Sequence, residues 1–133
     1  MKKLIFAVTL LFISVGIFAQ GKAPSEKAIT KLMFVKKGMS TVNTITDNLS
    51  QKMNTKNATA FKAEMNTYKK NMLDKAMRTF KSDYTASQID AIYKECTSDK
   101  IDYTDLTNNF FAKWRRLKGE FFKNAKETFF KYQ

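Results

Sequence analysis

No histidine occurs anywhere in the chain. That removes the side chain most often used as a general base near neutral pH, and the commonest nitrogen ligand for zinc. Cysteine occurs once, as Cys96, so no disulfide can form within the chain. Proline occurs once, as Pro24, and glycine four times. So few breakers argue against a turn-rich β-sandwich or a disordered tail and for long helices. Acidic residues are also scarce, 12 against 24 Lys and Arg, which leaves a formal charge of +12. There is no internal repeat and no low-complexity tract.

The one long apolar run is at the start. Met1-Lys2-Lys3 precedes a mostly apolar stretch from Leu4 to Phe18, followed by Ala19-Gln20-Gly21-Lys22. Two cations, a short apolar run and a small residue form the pattern of a secretory signal peptide. The run falls short of the roughly 20 residues of a membrane span. Residues 1–19 are therefore expected to be removed during export to the periplasm or the outside of the cell. Retained, the same segment would be an anchor. Loss of Lys2 and Lys3 lowers the charge from +12 to +10. The expected organisation is signal 1–19, a short linker 20–25 and one helical domain 26–133, long enough for a core without staples.

Apolar spacing along the domain is helical throughout. Ser25 is a candidate cap for a helix carrying Ile29, Leu32 and Met33. Lys36-Lys37-Gly38 reads as its close, with cations in the last turn and glycine beyond. Ser40 would then cap a second helix carrying Val42, Ile45, Leu49 and Met53. Phe61, Met65, Tyr68, Met72, Ala76 and Phe80 define a third, longer helix, which Ser82-Asp83 interrupts. Thr85-Ala86-Ser87-Gln88 has the form of a capping box opening a helix with Ile89, Ile92, Tyr93 and Cys96. A turn over 97–100 follows. The last segment, from about Tyr103 to Tyr132, carries the stripe Phe110, Trp114, Leu117, Phe121, Ala125, Thr128 and Tyr132. The expectation is an all-α bundle of about five helices, closed by a long basic, aromatic-rich helix.

Ile29, Leu32, Met33 and Gly38, then Phe61 and Glu64, then Tyr84, Thr85, Gln88, Ile89, Ile92 and Tyr93 form a pattern over most of the mature chain. It resembles the secreted bacterial family catalogued as domain of unknown function 2059. The resemblance rests on hydrophobic spacing and one helix cap. It implies an exported helical domain and supplies no catalytic residue.

The terminal helix holds the most informative surface. Lys113, Arg115, Arg116, Lys118, Lys123, Lys126 and Lys131 stand opposite its aromatic stripe. Phe111, Phe122 and Phe130 fall partly outside that stripe. Basic amphipathic helices of this kind bind anionic membranes, acidic glycans or acidic proteins, and nucleic acid with less support here. The plainer reading makes the stripe a core and the lysines its solvated back. The surplus aromatics also allow an apolar contact or a homodimer.

Other features point to structure. Asp99, Asp102 and Asp105 fail the spacing of a calcium loop and suit a helix N-terminus. Cys96 lies on an apolar face, as a core thiol would. The methionines sit mostly at core spacing. Asn48-Leu49-Ser50 and Asn57-Ala58-Thr59 match a glycosylation pattern by chance in a chain with a bacterial-looking signal. Glu64, Asp74, Asp90 and Glu95 show no pairing that would make acid–base machinery. No cofactor, metal or catalytic residue is expected. The expected role is non-enzymatic binding of an acidic partner or surface; the alternative is a chaperone-like or adaptor bundle for hydrophobic clients.

Overall fold

Three of the helices begin at a side chain that accepts from a first-turn backbone N–H. The computed structural model describes residues 21–99 and 102–133. The expected signal segment lies outside them. Five helices occur among the described residues, with no strand: α1 (Glu26–Thr30), α2 (Met33–Ser50), α3 (Thr55–Asp83), α4 (Ala86–Cys96) and α5 (Asp105–Lys131). Ser25 Oγ accepts from the Ala28 N–H at 3.1 Å and starts α1. Asn54 Oδ1 accepts from the Asn57 N–H at 2.8 Å and starts α3. At α4 the capping box is complete, with Thr85 Oγ1 accepting from the Gln88 N–H and Gln88 Oε1 accepting from the Thr85 N–H. Residues ahead of α1 are docked rather than loose. Pro24 is buried, and the Lys22 carbonyl accepts from the Ala86 N–H at 2.7 Å, satisfying a first-turn donor of α4.

The first helical break falls elsewhere than the sequence suggests. The chain turns at Lys31-Leu32, and α2 runs unbroken through Lys36, Lys37, Gly38 and Ser40. Gly38 is therefore no helix stop and Ser40 no cap. No glycine among the described residues has a positive φ, so the left-handed cap that favours glycine is not used here. Gly38 serves close packing instead. A Cβ there would stand 2.7 Å from the Trp114 ring and 2.9 Å from Lys118 Cδ. The Trp114 Nε1–H also donates to the Phe34 carbonyl of α2 at 2.9 Å. The break at Lys31-Leu32 lets α1 and α2 follow different neighbours. Ile29 and Leu32 are both fully buried, α1 resting against α4 while α2 lies along α3 and α5.

The other corrections are at helix ends. Ser82-Asp83 does not interrupt α3, which continues to Asp83 and ends at extended Tyr84. At the other end the helix begins at Thr55, six residues ahead of Phe61. At 29 residues, α3 is about 43 Å long. It runs antiparallel to α5, and the pairing keeps one register from end to end. Phe80 stacks on Phe110 with ring centroids 4.1 Å apart. Lys113 pairs with Asp83, Glu120 with Lys75, and Lys131 with Glu64. Numbers rise on α5 as they fall on α3. By contrast α2 runs parallel to α5, since Phe34 meets Phe111 while Gly38 meets Trp114 and Lys118.

The core lies between α2, α3 and α5 and is closed at one end by α1 and α4. Phe61, Phe80, Phe110, Trp114 and Phe121 are its largest fully buried members. Cys96 is buried, and desolvation raises its thiol pKa, so it is a poor nucleophile.

The two glycines of the packed helices have opposite roles. Gly38→Ala forces the rigid indole ring away and is expected to cost about 1–3 kcal/mol. Nothing stands within 4 Å of a Cβ at Gly119, so Gly119→Ala is expected to stabilise by about 0.5–1 kcal/mol through helix propensity. Urea denaturation of the two variants checks both signs.

Candidate interaction surface

Three sides of α5 carry charge in different ways. The side facing α3 is compensated. Lys113 Nζ lies 2.9 Å from Asp83 Oδ2 and 4.8 Å from the Tyr84 ring centre. Its pKa is raised, chiefly by the hydrogen bond to Asp83. Glu120 accepts from Lys75 at 3.0 Å. Lys131 donates to Glu64 at 2.8 Å, and the Tyr132 hydroxyl donates to the same carboxylate oxygen. Asn57 Nδ2–H donates to the Tyr132 carbonyl at 3.0 Å. The end of α5 is thereby tied to the start of α3.

Toward α2 the cations lie on rings. The Arg115 guanidinium stands 4.5 Å from the Phe111 ring centre, and Phe111 packs on Phe34 at 4.6 Å. Lys118 Nζ is 6.0 Å from the Trp114 ring centre. Such cation–π contacts hold the charge over the aromatic face without an acid.

Facing outward, Arg116, Lys123 and Lys126 are exposed and make no hydrogen bond or ion pair among the described residues. The seven cations of the expected face thus divide. Lys113 and Lys131 are spent on α3, Arg115 and Lys118 lie over rings, and three are open to solvent.

The expected apolar contact divides as well. Phe111 and Phe122 are half-buried, the first on Phe34 and the second against Phe121. They belong to the margin of the core and not to an exposed patch. Phe130 is 62% exposed.

No group of three or more candidate metal ligands occurs among the described residues. Asp105 lies in the first turn of α5, as its charge favours. The N-terminus of α5 is held by a residue whose role spacing did not reveal. Glu95, at the end of α4, accepts from the Thr104 N–H and from the Thr104 hydroxyl, the latter at 2.8 Å. The contact joins the last turn of α4 to the residue that precedes α5, nine positions on. No helix among the described residues is long and apolar enough to cross a membrane.

The grooves among the described residues are open and of mixed lining. One of about 360 Å³ between α2 and α3 is lined by Asn43, Thr46, Asp47, Lys62, Asn66 and Lys69, with Lys69 held on Asn43 at 2.8 Å. No family model, no curated protein and no solved structure matches the chain.

The Glu64 contact carries a pH signature. Its pKa is lowered, first by the Lys131 hydrogen bond and then by that of Tyr132. A carboxyl with a lower pKa folded than unfolded adds stability above its ordinary value, and loses it as pH falls through the lowered one. The same contact raises the pKa of Lys131 and Tyr132, so their share is present at neutral pH and lost as pH rises. Glu64→Gln is therefore expected to be less stable at neutral pH. Below the ordinary value of 4.5 the variant should lose less stability than the parent. Urea midpoints measured across this range check it; parallel acid limbs would refute the coupling.

Proposed function

We propose that this is an exported, non-enzymatic helical module that binds an acidic surface through the outward side of α5. One observation carries the reading: Arg116, Lys123 and Lys126 remain unpaired on α5 while Lys113 and Lys131 on the same helix are matched to acids. Burial of the aromatic stripe explains why the cations are turned outward. It does not by itself require so many of them on a chain with half as many acids. The signal-like segment 1–19, and the resemblance to a secreted family of unknown activity, support export. A cradle for hydrophobic clients has less support. Met65 and Met72 are buried, and the large apolar side chains left exposed among the described residues are Met33 and Phe130.

Two measurements test this reading. N-terminal sequencing of the protein recovered from outside the cytoplasm should begin at or near Gln20; a retained Met1 there would overturn cleavage and favour an anchor, and absence from that fraction would overturn export. The chain from Gln20 onward, which contains the whole described core, should bind a sulfated polysaccharide matrix and elute with rising salt. Lys123→Glu with Lys126→Glu should elute much earlier than Lys56→Glu with Lys70→Glu, which makes the same charge change on α3. Equal shifts would mean that binding follows net charge and not the α5 surface.

A further inference from the structure

The outward side of α5 ends in a feature that charge alone does not explain. Phe130 is the most exposed large apolar side chain among the described residues. A lone exposed phenylalanine is ordinary, but this one is aligned. Arg116, Lys123 and Phe130 are spaced seven apart, close to two turns, so they follow one line on the helix. The line is about 21 Å long at 1.5 Å per residue. Gly119 and Lys126, also seven apart, run beside it. Nothing of the bundle stands over Gly119. Two acids border this edge: Glu120 is tied to Lys75, while Glu127, one turn from both Lys123 and Phe130, is exposed beside the line and leaves the cations in excess there.

We propose that this edge rests on an anionic lipid bilayer, with Phe130 entering the boundary between headgroups and acyl chains. The inference rests on the acidic-surface reading above and names the surface. A straight helix on the outside of a bundle meets a plane along one line, so all three aligned side chains engage together. The cations lie at headgroup phosphates, and the ring leaves water. A polyanionic chain would satisfy Arg116, Lys123 and Lys126 and leave Phe130 solvated. The bilayer accounts for both kinds of residue.

Phe130→Trp provides the probe, because the single native tryptophan, Trp114, is fully buried and silent to lipid. The chain from Gln20 is mixed with phosphatidylcholine vesicles, with and without phosphatidylserine, some carrying brominated acyl chains. With phosphatidylserine present, the new emission should move to the blue and be quenched by bromine. The parent chain should show neither effect. Lys123→Gln with Lys126→Gln should weaken vesicle binding about thirty-fold at low salt. Phe130→Ser should weaken vesicle binding and leave retention on the sulfated matrix unchanged. Co-sedimentation without quenching would overturn ring insertion. A chain that ignores vesicles yet stays on the matrix would overturn the bilayer and leave the broader reading standing. Indifference to both would overturn both.

Discussion

The contact between Trp114 and Gly38 sets the positions of the other elements. An indole ring can lie against a helix backbone only where no Cβ intervenes, and Gly38 is that place. The ring is then oriented by its hydrogen bond to the Phe34 carbonyl, one turn earlier on the same helix. Together these contacts hold α2 parallel to α5 at close range. With α2 so placed, Phe34 reaches Phe111 and Tyr103, and Val35 and Val42 enter the core. The cost of misplacing the ring is high because interiors of this density leave little room for a side chain to move aside.

The second constraint is the register of α3 against α5. Exposed ion pairs contribute little stability each, so Lys75–Glu120, Lys113–Asp83 and Lys131–Glu64 matter mainly for alignment. Stacking of Phe80 on Phe110 supplies the apolar part of the same alignment. One consequence reaches the surface. Pairing on the α3 flank and rings on the α2 flank occupy four of the seven cations, and the remaining three are concentrated along the outward edge with Phe130. The asymmetry of α5 is thus a product of what each of its neighbours contributes.

Much of this was legible in the residues. The buried stripe from Phe110 to Thr128 follows 3.6-residue spacing, and so does the α3 core from Phe61 to Phe80. The Thr85–Gln88 capping box is local chemistry and formed as its pattern implies. Gly38 was misread because a glycine after two lysines fits a helix end as well as it fits a close approach. The difference lies in φ and in what sits opposite, and neither is written locally. Lys113 and Lys123 look equivalent along α5. They differ because Asp83 stands beside one and solvent beside the other. Glu95 at Thr104 was hidden for the same reason, since the partners belong to different helix ends and share no helical spacing.

Helix content, the core-facing side of α3 and α5, and the excess of positive charge follow from composition and periodicity, because each depends on residues within a turn or two. Which cations stay unpaired, which phenylalanines remain exposed and why a glycine sits inside α2 were decided by tertiary packing. Those properties depend on the residue brought opposite from another helix, and its identity is set by register and helix direction.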